Sequence, residues 1–363
     1  MFARAKQPFI TLKGTYMISG RSFKRYFAGF ILSLTVLHAA GQDIHFSQFF
    51  EAPLLRNPSL AGIYTGDYRI QGVYRDQWNS ITNAYRTGSL NAEYKMPVGV
   101  GNDFITTGIQ AVFDKAGTVG LTTTHILPAV NYHKSLSNDK TMYLSLGFMG
   151  GLIRKSIDIT KVTTDAQYNG GAFDPTMPTG ETMLSPNYST WDASVGMSFN
   201  TTFGVEQKHS MFIGGAYHHL NRPKNTFYRN RSIDLNPKYV GSIGVKWALD
   251  EESAITLQTD HSVQGSYNET IAGALYSRKL GYDIDNNPTY TLSGGLFLRY
   301  KDALVPVIKI EWGHLSTALS YDVNVSPLKT ASMGRGGFEL SLSYIGFVRR
   351  DNSSEYKMLC PKF

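Results

Sequence analysis

The sequence predicts an all-β fold, a transmembrane antiparallel β-barrel of about fourteen strands with an ordered N-terminal segment capping one end, and three observations predict it. Segments that alternate apolar and polar residues recur through most of the chain, and alternation of period two sends successive side chains to opposite faces of a strand. An export leader precedes these segments. After the leader no apolar run reaches the roughly 18 residues of a spanning helix, so a closed sheet with lipid outside and polar groups inside is the expected membrane structure.

The leader comes first in the chain. Arg21, Lys24 and Arg25 precede an apolar run from Phe27 to Leu37, and Ala39 and Gly41 supply the small residues of a cleavage point before Gln42. Residues 1–41 therefore read as a signal peptide, with Met17 as an alternative start. No cysteine sits at the cleavage point, so no lipid anchor is expected. The leader also explains the net charge of +7. It holds Arg4, Lys6, Lys13, Arg21, Lys24 and Arg25 and no acids, which leaves 29 of the 35 basic residues against 28 acids, a near-neutral balance. Basicity thus says nothing of nucleic acid, which is excluded as a partner. The single cysteine, Cys360, rules out an intramolecular disulfide framework.

Residues 42–66 follow, as a periplasmic, plug-like segment. Ala52-Pro53 and Asn57-Pro58 are X-Pro steps that prevent a regular strand, and the mixed aromatic and polar residues around them suit an ordered segment that folds back into, or caps, the barrel mouth. Residues 67–350 form one barrel domain, since the alternating segments continue without a linker, and 351–363 form a tail.

The expected strands are Tyr68–Trp78, Ala84–Met96, Phe104–Phe113, Leu121–Ser135, Thr141–Arg154, Thr190–Phe203, Ser210–Leu220, Tyr239–Leu249, Ser253–Gln264, Tyr267–Leu280, Tyr290–Tyr300, Leu304–Trp312, Ser316–Asn324 and Gly336–Val348. An even number lets the first and last strands meet antiparallel. Leu144, Leu146 and Phe148 share one face against Tyr143, Ser145 and Gly147; Leu292, Leu296 and Leu298 oppose Ser293, Phe297 and Arg299. The 22 tyrosines and 20 phenylalanines suit interfacial girdles, and glycines within strands suit curvature and close backbone approach. A soluble β-sandwich alternates too, but with shorter strands.

Ser137-Asn138-Asp139-Lys140 and Leu249-Asp250-Glu251-Glu252 read as short hairpin turns. Two connections are long, Lys155 to Ser189 and Asn221 to Lys238. The second holds Arg222, Lys224, Arg229 and Arg231 against one acid, Asp234, and these four are candidate loop contacts with a partner or with lipid head groups. Arg75, Glu93, Glu311 and Glu339 lie in alternating strands, where a charge is tolerable toward the lumen and costly toward lipid; they either line a channel or brace a plugged interior.

The search for catalytic chemistry finds nothing specific. The histidines form no helical or Cys/His metal pattern, and His218 and His219 are expected on opposite faces of a strand. Ser262 or Ser316 could be proposed as a nucleophile, but serines lining a lumen are commonplace, and Gly334-Arg335-Gly336-Gly337 lacks the strand-to-helix context of a phosphate loop. The reading is non-enzymatic, with no catalytic residue, no metal and no cofactor.

Two blocks carry a resemblance. One runs Asp43-Ile44-His45-Phe46-Ser47-Gln48-Phe49-Phe50, then Pro53-Leu54, Asn57-Pro58-Ser59-Leu60-Ala61-Gly62 and Tyr74-Arg75-Asp76-Gln77-Trp78-Asn79-Ser80. The other runs Tyr321-Asp322-Val323-Asn324-Val325-Ser326, then Gly336-Gly337-Phe338-Glu339-Leu340-Ser341-Leu342-Ser343-Tyr344 and Cys360-Pro361-Lys362-Phe363. Together they resemble the PorP/SprF family of outer-membrane proteins of the type IX secretion system of the Bacteroidetes; Ile44 departs from an expected proline. The resemblance implies an outer-membrane component that supports secretion or surface attachment of proteins with a type IX C-terminal signal. Its partners would be such an exported protein, a large adhesin for example, together with secretion and gliding components of the envelope and outer-membrane lipid. The family offers no catalytic residues, so Asp43, His45, Phe46, Ser47, Gln48, Phe49, Asn57, Pro58, Gly62, Arg75, Asp76, Gln77, Trp78, Gly337, Phe338 and Glu339 are candidate structural or partner-binding positions. A passive porin or small-solute transporter is the alternative, and a purely structural barrel a third.

Overall fold

Fourteen antiparallel strands close into one barrel in the computed structural model, in which each strand pairs with its sequence neighbours and the last pairs with the first. The strands are β1 (Tyr68–Gln77), β2 (Tyr85–Pro97), β3 (Phe104–Ala116), β4 (Leu121–Ser135), β5 (Met142–Ser156), β8 (Asn187–Phe203), β9 (His209–His218), β10 (Lys238–Ala248), β11 (Ser253–Gln264), β12 (Tyr267–Tyr282), β13 (Pro288–Arg299), β14 (Ala303–Trp312), β15 (Leu315–Asn324) and β16 (Arg335–Gly346). Two short strands, β6 (Tyr168–Asn169) and β7 (Ala172–Phe173), make a small hairpin inside the long connection after β5, which the alternation did not predict. The structure describes residues 43–78, 85–99, 101–138, 141–169, 171–181, 185–228, 233–282, 288–327 and 329–348. The expected signal peptide and C-terminal tail, with Cys360, lie outside the described residues, as do Gln42, Asn79, Ser80, Arg229 and Arg231.

Closure follows from the register β1 makes with β16, in which Tyr68 faces Gly346 and Gln77 faces Gly337. No strand edge is then left to lipid, where unpaired backbone groups cost several kcal/mol each by rough estimate. Every barrel strand exposes at least one large apolar side chain, from Ile70 in β1 and Leu90 in β2 to Leu319 in β15 and Leu342 in β16. The faces assigned by alternation hold: Leu144, Leu146 and Phe148 point outward while Tyr143 and Ser145 are buried, and Leu292, Leu296 and Leu298 point outward while Ser293, Phe297 and Arg299 are buried.

We call the end where β1 begins and β16 ends proximal, and the opposite end distal. Exposed aromatics gather at both, Tyr94, Tyr132, Trp247, Trp312 and Tyr344 toward the proximal end and Tyr74, Phe113, Trp191, Tyr239 and Tyr321 toward the distal one. These are the two girdles of a membrane barrel, where amphipathic rings sit at head-group level. The connections are asymmetric. Proximal ones are short, such as 249–252 and 313–314, whereas the distal set includes 157–186 and 219–237.

Candidate functional site

The chain's own N-terminal segment runs through the lumen. Asp43 lies at the distal end, where its backbone N–H donates to Gln264 at 3.1 Å, and Asp67 lies at the proximal end, where its N–H donates to the Gly346 carbonyl at 2.8 Å. Residues between them run the length of the barrel, which is more than a cap on one mouth. The prolines explain the local shape. Pro53 starts a single α-helical turn, Pro53–Arg56, and Pro58 starts a 3-10 turn, Pro58–Leu60, each at a position where the missing N–H is of no consequence. Asn57 separates the turns and caps the second, accepting from the Ser59 N–H at 2.9 Å.

Three sets of contacts hold the segment. Distally, Glu339 of β16 accepts the backbone N–H groups of Ser47 and Gln48, each at 2.7 Å. Arg75 lies 3.1 Å from Glu339 and 2.9 Å from Asp322, and donates to the His45 carbonyl at 2.7 Å. Arg299 donates to Asp322 at 2.9 Å and to the Ser47 hydroxyl at 2.6 Å. Two guanidinium groups thus face two carboxylates in a site closed to water, and the segment's backbone completes the hydrogen bonding.

At mid-height, Arg56 forms a forked pair with Asp260 of β11, at 2.7 and 2.5 Å, and its guanidinium lies over the Phe49 ring. Phe49 packs edge-on against Phe297, within an apolar cluster that includes Ile271, Val305 and Val307. On the opposite wall Asn57, Pro58 and Ser59 lie flat against strand glycines. Gly147 of β5 and Gly196 of β8 are cross-strand partners. A Cβ on Gly147 would come within 2.5 Å of the Pro58 carbonyl carbon and the Ser59 nitrogen, and one on Gly196 would overlap the Asn57 side-chain oxygen. The Asn57 amide donates to the carbonyls of Met197 and Gly215, at 3.3 and 3.1 Å, and Asn131 donates to those of Ser59 and Ala61, at 2.7 and 2.9 Å.

Proximally, Gly62 turns with φ +83°, and its N–H donates to Glu93 at 2.7 Å. A side chain there would be strained and would also meet Thr106. Glu93 is paired in turn with Arg69 at 2.7 Å, and the Lys95 ammonium donates to the Tyr64 carbonyl.

The first described residue has its own charged nest. His219 donates Nδ1–H to Asp192 at 3.0 Å and Nε2–H to Asp43 at 3.3 Å, and Lys238 lies 3.5 Å from Asp43. Burial alone would raise the Asp43 carboxyl, but the Lys238 ammonium and His219 hold it well below the usual carboxylate range. Burial opposes charge on His219, yet its bonds to the two carboxylates raise it to about 9. Burial pushes the His45 imidazole down to about 4, so Glu269, 3.6 Å away, faces a neutral ring near pH 7. The expectation that His218 and His219 point to opposite faces is corrected here. β9 ends at His218, and His219 adopts φ +59°, which turns its ring back inward; both are buried.

Most of the candidate residues therefore meet in the lumen: Asp43, His45, Phe46, Ser47, Gln48, Phe49, Asn57, Pro58 and Gly62 in the segment, and Arg75 and Glu339 on the wall. Four serve the distal rim or backbone instead. Asp76 pairs with Arg86 at 3.4 Å, Trp78 packs edge-on against Tyr85, and Gln77 faces Gly337 in the register, where a Cβ on the glycine would lie 2.5 Å from the Asp76 carbonyl oxygen. Phe338 departs from the lumen set: it points outward, 42% exposed, 6.2 Å from the Tyr74 ring. Arg222 and Lys224 lie in the connection after β9, and Lys224 pairs with Asp234 at 2.5 Å. Arg56, Asp260, Arg299, Asp322 and the glycine pair are not among the candidate positions the sequence offers. The inward parity of Asp260, Arg299 and Asp322 was the available signal. Among the described residues no group of three or more His, Cys, Asp or Glu side chains is placed to hold a metal ion.

A family model described as type IX secretion system membrane protein PorP/SprF matches residues 38–344. No curated protein matches the chain. Among solved structures it is similar to CdiB from Acinetobacter baumannii, at 10% identity over 77% of this chain and a TM-score of 0.39; it spans 60% of that chain, less than two thirds. It is also similar to the TodX deltaS2S3 mutant monoaromatic hydrocarbon channel, at 10% identity over 81% of this chain and 93% of that one with TM-score 0.46. A third is BamA from Haemophilus ducreyi lacking POTRA domains 1-3, at 9% identity over 77% and 70% with TM-score 0.39.

Proposed function

Because the chain belongs to the PorP/SprF family of type IX secretion system membrane proteins, we propose that it acts in the outer membrane as a plugged platform, supporting secretion or surface attachment of proteins that carry a type IX C-terminal signal. The observation that carries this reading is the lumen, threaded from end to end by residues 43–67, which are tied to the wall by the buried Arg56–Asp260 ion pair, by the Ser47 and Gln48 N–H groups on Glu339 and by the Gly62 N–H on Glu93. A passive porin needs an open water path, and here Glu339, Glu93, Asp260 and Asn131 of the wall bond the segment instead of water.

Family and fold are those of a secretion membrane protein rather than of an enzyme family. Short turns at one end and long loops at the other orient membrane barrels with the long loops outside. On that rule the distal connections 157–186 and 219–237 face the exterior and are the surface offered to an exported partner; Asp43, at the start of the segment expected to be periplasmic, then lies at the outer end and Asp67 at the periplasmic one. Arg222, Lys224 and the hairpin of β6 and β7 belong to it. A large adhesin and the gliding machinery are the partners this reading favours.

The test is a deletion strain assayed by mass spectrometry of surface and released proteins. The expected result is loss of one or a few proteins with the type IX signal, for a dedicated partner, or of all of them, for a general component. Unchanged export with altered small-solute uptake would favour a porin instead.

A further inference from the structure

Beside the segment lies a vestibule of about 960 Å³ at the proximal end, bounded by β10 to β16 and by Arg69 and Gln71 of β1, and floored by Phe50, Glu51 and Tyr64. At its inner end the Lys309 ammonium lies 2.9 Å from Glu51 of the segment and 3.1 Å from Glu311 of the wall. Glu51 belongs to the 3-10 turn Phe49–Glu51, so Lys309 already binds a carboxylate presented on a length of non-strand peptide. Glu51 also accepts from Gln71 at 2.5 Å and keeps that partner if Lys309 turns away. Hydroxyls of Thr291 and Ser343 line the wall above, and Leu275 and Phe347 give it apolar surface.

We propose that this vestibule binds an extended peptide carrying a free carboxylate, with Lys309 as the anion anchor and Glu51 as the internal competitor. A peptide fits this combination: its carboxylate matches the ammonium, its backbone amides match the hydroxyls, and its side chains match the apolar surface. Exchange at Lys309 also removes one tie between the segment and the wall, which couples occupancy of the vestibule to the plug. The inference deepens the exported-partner reading by naming a peptide site, and it rests on that reading only for the source of the peptide.

The experiment uses the purified protein in detergent micelles and a fluorescent six-residue peptide of alternating valine and threonine, made once with a free C-terminal carboxylate and once as the amide. Anisotropy titration should show the acid form binding about tenfold or more tightly than the amide, the size of one lost charge-assisted contact. Lys309→Met should abolish that preference, Lys309→Arg should retain it, and Glu51→Gln should strengthen binding of the acid form severalfold. Equal binding of both forms by the wild type, binding of neither, or a preference that survives in Lys309→Met would overturn the proposal. The first two need no variant, so misfolding cannot mask them. A failure here leaves the secretion defect of a deletion strain untouched, so the two readings fail separately.

Discussion

Replacing Gly196 with leucine will release the N-terminal segment from the lumen while the barrel stays closed. The Asn57 side-chain oxygen occupies the space a Cβ would need, and the cross-strand neighbour Gly147 is equally closed by Pro58 and Ser59. Neither strand can retreat without breaking its ladder, so the segment must move. Overpacking of this kind costs about 1–3 kcal/mol where neighbours adjust. Here the adjustment also gives up the Asn57 bonds to Met197 and Gly215 and the Asn131 bonds to Ser59 and Ala61. Arg56 is the natural reporter, since it is buried and is followed by Asn57, a bond trypsin accepts once exposed. Limited trypsin digestion should leave the wild-type segment intact and cut Gly196→Leu after Arg56, with the heat-modifiable gel migration of a folded barrel preserved. An uncut segment in the variant would mean that residues 57–59 do not sit against these glycines.

Replacing Glu339 with alanine is expected to destabilise the protein by about 3–5 kcal/mol, the range for breaking a buried ion pair by removal of one member. The loss is asymmetric. Arg75 keeps Asp322 at 2.9 Å, but the N–H groups of Ser47 and Gln48 lose their acceptor while staying buried. Glu339→Gln retains an acceptor oxygen and should cost about half as much. Urea titration of the detergent-solubilised protein, read by gel migration, checks both values. Equal midpoints for wild type and Glu339→Ala would remove this cluster from the account.

The barrel was legible in the sequence because alternation is local: each of the fourteen expected segments is a barrel strand in the structure, with ends shifted by a few residues. Girdles and face assignments follow from the same parity. The proline steps at 53 and 58 also announced a segment that is not a strand. Its path was not legible. Parity tells that Arg75, Glu93 and Glu339 face inward, yet not whether they line water or bind residues 292 positions away, as Glu339 binds Ser47. Glycines 147 and 196 look like any strand glycines until their partners are known. His219 shows the limit of parity itself, since one left-handed residue at a strand end reverses the face its side chain takes. Phe338 sits within the same short block as Glu339, and the pleat sends the two to opposite sides.

Whether the chain closes its own lumen is tested most directly by electrical recording of the purified wild-type protein in planar bilayers. A plugged barrel should insert without a steady open-pore current. A constant, high conductance from the wild type would contradict closure and return the protein to the porins.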